Sequence, residues 1–192
     1  MTKNITNNTK KKTNKIEEVS LGRRFLSYLI DWYVGALCTG LPIAIISQKL
    51  TNTILNQNII EFQQPYGIIA GIVALGFAFF YFVIVPTYIY NGQTLGKKIC
   101  KIKIVKKSND NVTLTNMLLR QVIGIIVIEG ALVSASAIWH SVVTIVTKIN
   151  FVTPLMYLGF VVTAISVGIL VFNKEHRAIH DYLGNTKVVM CS

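Results

Sequence analysis

Five ionisable side chains lie within or beside apolar stretches of this 192-residue chain: Arg24, Asp31, Arg120, Glu129 and Asp181. A charge removed from water is costly unless it is paired, hydrogen-bonded or neutralised, so each of these groups needs a partner or a function. Carboxylates at membrane depth can pair with arginines and fix how helices pack, or they can take up and release protons and cations. The chemistry therefore depends on which helices carry these groups and on which of them meet.

The apolar stretches are long enough to cross a bilayer. The chain is 52% hydrophobic and only 14% charged, whereas soluble proteins have about 25% charged residues. Four apolar runs cover about residues 25–47, 67–90, 117–139 and 151–172. About 20 helical residues span a hydrocarbon core, and in lipid the backbone must satisfy its own hydrogen bonds. The sequence predicts an all-α membrane protein in which residues 21–192 form one domain with four transmembrane helices, after a disordered polar tail over residues 1–20.

The basic residues are distributed unevenly, and the net charge is +11. They cluster before the first run, between the second and third, and after the fourth, whereas the other two connections carry Lys49 and Lys148. By the positive-inside rule, both termini and the middle loop are cytoplasmic. This basic face is expected to attract anionic lipid headgroups of the bilayer. Nucleic acid is not expected as a partner, because no base-stacking or groove-reading element accompanies the lysines.

Two cytoplasmic segments have the pattern of short strands. Residues 101–105, "KIKIV", alternate lysine with apolar residues, and residues 186–190, "TKVVM", follow a Gly-Asn turn. Alternation with a period of two is typical of a half-buried strand. We expect the two segments to pair as a small two-stranded sheet at the membrane surface.

The predicted topology places four of the five charged residues in the cytoplasmic half of the helices. Arg24 and Asp31 are seven residues apart, so they share one face of the first helix. Arg120 begins the third run and Asp181 follows the fourth. We expect the charges to neutralise one another, with Asp31 and Arg120 as the preferred pair across the first and third helices. An architectural role is favoured for this cluster over a direct role in transport.

Glu129 differs from the other four because it lies near the centre of the third run. It follows Arg120 by nine residues, which places the two on nearly opposite faces of a helix. Glu129 is then protonated, lines a wet cavity or faces another polar group, for which Thr39, Thr163 and Ser166 are candidates at a similar depth. A functional role is favoured for this residue.

Other patterns in the chain do not support enzymatic or metal chemistry. "GQTLGKK" is one spacer short of a phosphate-binding loop and has no Ser or Thr after its lysine. His176 and His180 are spaced as zinc ligands, but a third ligand is missing. The sequence predicts no catalytic residue, no bound metal and no cofactor.

Four motifs in order resemble the RDD family of bacterial inner-membrane proteins, named for one arginine and two aspartates. They are "LGRRFLSYLID", "GQTLGKKICKIKIV", "LLRQ" and "HRAIHDYLGNTKVV". The resemblance identifies Arg24, Asp31 and Asp181 with the three residues of the family name and Arg120 with the downstream arginine. It implies a multi-pass protein of the bacterial inner (cytoplasmic) membrane. A few similar proteins are associated with cation/proton exchange, and others with membrane-complex or regulatory roles.

Two functions are open on this basis. In the first, the chain is a small transporter or transport accessory, in which Asp31 and Glu129 take up protons or cations while Arg24 and Arg120 tune their affinity. Four helices are few for a complete pathway, so a homo-oligomer or another membrane protein is expected as partner. In the second, the chain is a non-catalytic scaffold or interaction protein, and its ion pairs lock the helix bundle.

Overall fold

The structure is a computed structural model that describes residues 19–130 and 133–191. Most of the predicted tail, residues 1–18, lies outside the described residues, so its disorder stays a prediction. Three helices are long and apolar enough to cross a membrane: α1 (Leu21–Thr51), α2 (Tyr66–Ile89) and α6 (Val152–Phe172). Ser20 caps the first of them, since its Oγ accepts a hydrogen bond from the backbone N–H of Arg23.

The third apolar run is two helices rather than the single helix expected over residues 117–139. Helix α4 covers Leu114–Glu129 and α5 covers Ser134–Thr147, and they are inclined by 66°. Helix α4 ends where Gly130 takes a φ of +44°, a conformation that glycine adopts without the steric cost of a Cβ. Helix α5 also continues past Trp139, the expected end, as far as Thr147. The chain therefore has three candidate spans, or four if the bent pair counts as one.

Short elements connect the long helices. A single 3-10 turn covers Ile59–Glu61. Between α2 and α4 come α3 (Leu95–Ile99) and β1 (Ile102–Lys106). After α6 come α7 (Ile179–Leu183) and β2 (Thr186–Met190).

The predicted two-stranded sheet is confirmed. Strands β1 and β2 are antiparallel, with Ile104 opposite Val188. The first strand begins one residue later than expected, because Lys101 has a φ of +55° and cannot continue an extended strand. Ile102 and Ile104 are buried beneath the sheet. The sheet is thus packed on one face against the helices rather than free in water.

Small residues allow α2 to pack closely in the bundle. Ala70, Ala74 and Ala78 are fully buried along one side of the helix. The outer surfaces of the long helices are apolar, as shown by Phe25 on α1 and Phe172 on α6, which are 62% and 89% exposed. So much exposed apolar surface suits lipid and does not suit water. The fold is that of a membrane protein with a small sheet at one end.

Helix α7 packs directly on α4 at Gly124. A Cβ at this position would lie 2.7 Å from the Cβ and 2.9 Å from the Cα of His180. We expect Gly124→Ala to lower the free energy of unfolding by about 1–3 kcal/mol, because the obstacle includes backbone and overpacking is costly. Denaturant unfolding in detergent measures the effect. Gly168→Ala is the matched control: nothing lies within 4 Å of a Cβ there, so it should leave stability unchanged or raise it by up to about 1 kcal/mol.

Candidate functional site

Asp31 holds the loop between α2 and β1 against α1. Its Oδ1 accepts hydrogen bonds from Tyr81 Oη at 2.7 Å and from the backbone N–H of Gly96 at 2.9 Å. Its Oδ2 accepts from Thr94 Oγ1 at 2.5 Å and Lys97 Nζ at 2.8 Å. An ionised carboxylate has about four acceptor sites, and here each oxygen receives two donors. The side chain of Asp31 is therefore saturated by the protein.

The sequence "QTLGK" provides three of these four donors from a single turn of the chain. Thr94 precedes α3, and Gly96 and Lys97 lie in its first turn. Gly96 has to be glycine for this contact, because a Cβ would collide with the backbone oxygen of Ser27 and lie 2.8 Å from Asp31 Oδ1. The segment that resembles a phosphate loop is thus occupied by a carboxylate of its own chain.

Asp181 is the centre of a second buried cluster. Its Oδ2 lies 2.7 Å from Arg24 Nη2, and its Oδ1 pairs with Arg120 Nη1. Asp181 is completely buried and Arg120 is 3% exposed. The carboxylate also accepts a hydrogen bond from the backbone N–H of Ala178 at 3.1 Å, so it caps α7 from within. Helices α1, α4 and α7 therefore meet at one aspartate.

The electrostatic balance at Asp181 strongly favours the ionised form. Burial by itself raises the pKa of this carboxyl, but the positive charges of Arg120 and Arg24 outweigh that effect and hold the pKa well below its ordinary range. A buried carboxylate that remains charged through pairing is a structural connection between helices. It is not poised to bind a proton near neutral pH.

A third arginine joins this cluster to the sheet. Arg177 Nη2 donates to the backbone oxygen of Asp181 at 3.2 Å, and its Nε donates to that of Thr186 at 3.0 Å. Thr186 also accepts from Arg120 Nη1 through its Oγ1 at 2.9 Å. The start of β2 is thereby fixed to the ion-pair cluster.

Glu129 forms a separate polar centre with α6 and α7. Its Oε1 accepts from Ser166 Oγ at 2.6 Å and from the backbone N–H of His180 at 3.1 Å. The ring Nδ1 of His180 lies 2.9 Å from both carboxylate oxygens. Thr163 Oγ1 donates to the backbone oxygen of Glu129 at 2.6 Å. Carboxylate and imidazole can together hold or release one proton.

A cavity of about 370 Å³ reaches this centre. Its lining includes the polar side chains of Glu129, His180 and Ser166 and the cationic side chains of Arg24, Lys97 and Arg120. Its apolar walls come from the first turns of α1 and from α6. Within the described part of the chain, Arg120 Nε is the one buried side-chain nitrogen or oxygen atom without a hydrogen-bond partner. The cavity thus combines cationic groups, a carboxylate–histidine pair and apolar surface.

The structure rearranges the pairs that the sequence suggested. The expected pair of Asp31 with Arg120 is wrong: Asp31 pairs with Lys97, and Arg120 pairs with Asp181. Arg24 forms an ion pair with Asp181 and not with Asp31, although Arg24 and Asp31 belong to the same helix, α1.

The expected neighbours of Glu129 are partly correct. Ser166 contacts its carboxylate and Thr163 its backbone, whereas Thr39 bonds instead to Ser134 at 2.9 Å. Sequence reasoning missed His180 because it considered the two histidines as zinc ligands. Within the described residues, no group of three or more His, Cys, Asp or Glu side chains is placed to hold a metal ion.

The comparisons with known proteins give one match. The family model described as the RDD family covers residues 19–185. Neither a curated protein nor a solved structure matches the chain. The match includes all three long helices, the "QTLGK" segment and Asp181, which the geometry shows to form the two aspartate-centred clusters. Because it covers most of the sequence, the chain belongs to the RDD family.

Proposed function

We propose that this chain exchanges protons for a cation across the bacterial inner membrane, and that Glu129 and His180 are the groups that take up and release the proton. The observation that supports this is the cavity that reaches a carboxylate in direct contact with an imidazole. Asp31 and Asp181 support no such role, because neither lines this cavity and each is held in an ion pair with a lysine or arginine. We assign the chain no enzymatic reaction and no bound metal or cofactor.

The proposal includes an orientation and a partner. Both termini and the loop with α3 and β1 are cytoplasmic, as the distribution of lysine and arginine favours. Only 11% of the most apolar stretch of helix α6 is buried inside the protein. We propose that this surface faces lipid or a second copy of the chain, because three or four spans are few for a complete pathway.

The proposed exchange predicts a loss of flux in two single variants. In vesicles with an imposed pH gradient, a proton-sensitive dye should report flux that depends on Na⁺ or K⁺ for the wild-type protein. Glu129→Gln and His180→Gln should each reduce this flux at least about a hundredfold, because a positioned proton-transfer group typically contributes about 10²–10⁴-fold to a rate. Glutamine keeps the shape of glutamate and can still accept the hydrogen bond from Ser166.

The control is Glu61→Gln, which removes an exposed acid in the 3-10 turn. It should leave the flux unchanged, and each variant should still unfold cooperatively, which shows that it is folded. Cation-independent leakage in the wild-type protein, or full activity in Glu129→Gln, would contradict the proposal.

A non-catalytic scaffold is the second candidate. This function is favoured by Asp31 and Asp181, whose carboxylate oxygens are all hydrogen-bonded to groups of the protein. Such aspartates connect helices and require no pathway for ions. Under this function, wild-type vesicles show no cation-dependent proton flux, while the protein migrates in native gels of the membrane as part of a larger complex.

A further inference from the structure

A second cavity lies beside the sheet, at the ends of α1 and α6, and it is strongly basic. Its volume is about 350 Å³. The basic side chains that line it are Arg24, Lys107, Lys174, Arg177 and Lys187. The one acidic residue in the lining, Glu175, lies 3.1 Å from Arg177 and 3.7 Å from Lys107. The excess of positive charge suits a ligand with an anionic group.

Two of these lysines lack an acidic neighbour. Within the described residues, no carboxylate lies within 4.0 Å of the ammonium group of Lys174 or Lys187. Lys174 follows the end of α6 at Phe172 by two residues, and Lys187 is the second residue of β2. Both side chains are therefore available to a ligand at the ends of the helices, where a bilayer presents its phosphate groups.

The basic cavity adjoins the apolar cavity that reaches Glu129. Arg24 and Val188 line both of them. On the apolar side, Phe25 and Tyr28 of α1 face Val167 and Leu170 of α6. Thr163 and Val171 mark the extent of this wall along α6, a distance of about 12 Å at 1.5 Å per residue. That is comparable with the depth of one leaflet, which is about 15 Å.

We infer that the two cavities form one binding site for an anionic diacyl phospholipid. The phosphate-bearing head lies among Lys174, Lys187 and Arg24. One acyl chain lies between α1 and α6 against Phe25 and Leu170, so that the part of the cavity beside Glu129 stays open. The position of the basic cavity at the helix ends, and of the apolar cavity along them, matches the order of head and chain in a leaflet.

The test is native mass spectrometry of the full chain, titrated in detergent with phosphatidylglycerol or phosphatidylcholine. The wild-type protein should bind phosphatidylglycerol at least about tenfold more tightly than phosphatidylcholine, where tenfold corresponds to about 1.4 kcal/mol. The double variant Lys174→Gln/Lys187→Gln should lose about thirtyfold in that affinity, because each of the two basic residues near a phosphate surface is worth about 1 kcal/mol. Lys49→Gln/Lys148→Gln removes the same charge from the other two connections and should leave the affinity unchanged.

A second pair of variants tests the acyl chain. Leu170→Trp fills the cavity and should weaken binding of phosphatidylglycerol, whereas Leu158→Trp makes the same change at an exposed site of the same helix and should not. Equal affinity for the two lipids, or equal losses in the test and control variants, would overturn the inference. Competition by millimolar glycerophosphate that displaces the lipid completely would also overturn it, by showing a site for a free anion. The readout needs no ion gradient, so it is independent of the proposed exchange.

Discussion

Asp31→Asn is expected to release the segment that carries Thr94, Gly96 and Lys97 from α1. The change removes the charge opposite Lys97 Nζ, whose side chain is only 14% exposed, and it replaces an acceptor oxygen with an NH₂ group that faces donors. Removal of one partner from a buried pair costs about 3–5 kcal/mol. We expect the free energy of unfolding to fall by about 3 kcal/mol, at the lower end of this range, because Lys97 retains some access to solvent.

The thiol of Cys100 can report this release. Cys100 follows α3 directly and is packed with Val19 and Ile102. In a Cys38→Ser/Cys191→Ser background, the rate of labelling by a thiol reagent should rise more than about tenfold in Asp31→Asn, since 1.4 kcal/mol of local opening corresponds to a factor of ten. Asp110→Asn is the control, because Asp110 is exposed and its side chain contacts Ser108. Unchanged labelling in Asp31→Asn would show that the segment stays in place without the carboxylate.

The sequence predicted those features that depend on composition and short periods. Four long apolar runs indicated the membrane-spanning helices, and alternation in "KIKIV" indicated β1. Prediction from the sequence fails where a single residue changes the backbone conformation. Strand β1 begins after Lys101, and α4 ends at Gly130 inside an apolar run. Hydropathy is insensitive to such a break, because glycine and alanine do not interrupt an apolar average.

The partners of the charged residues were harder to predict. The sequence spacing predicts the face of α1 on which Asp31 lies and its depth in the membrane. It does not predict which neighbouring segment reaches that depth. The "QTLGK" segment resembles a phosphate-binding loop, which binds an external anion. Its Thr, Gly and Lys in fact surround an internal anion, Asp31. The chemistry was identifiable from the residue types, whereas the identity of the anion required the tertiary structure.

The contact between Glu129 and His180 likewise depends on the tertiary structure. The two are 51 residues apart and meet because α7 folds back onto α4. Gly124 gives a signal of this approach, as a glycine on an otherwise apolar helix often marks a close neighbour. The position of Glu129 in an apolar run thus indicates that it needs a partner, but the sequence does not identify His180 because no periodic pattern connects the two residues.

Asp181→Asn is expected to have the largest effect on stability. The carboxylate is the shared partner of Arg24 and Arg120, so its neutralisation leaves two guanidinium groups without a counter-charge. We expect the free energy of unfolding to fall by at least about 3–5 kcal/mol, the usual range for one broken buried pair. Denaturant unfolding in detergent, followed by tryptophan fluorescence, measures this change, and Asp110→Asn again serves as the exposed control.

The pH dependence of the unfolding free energy distinguishes the loss of an ion pair from the loss of packing in Asp181→Asn. The pKa of Asp181 is lower in the folded protein than in the unfolded chain, so the unfolded state binds the proton first as the pH falls. The stabilisation is therefore complete above the unfolded pKa of about 3.9 and declines as the pH falls below it, towards the lower pKa of the folded protein. The difference in unfolding free energy between the wild-type protein and Asp181→Asn should then be constant from pH 5 to 7 and shrink below about pH 4. A difference that persists unchanged at pH 3 would show that packing, and not charge, gives Asp181 its importance.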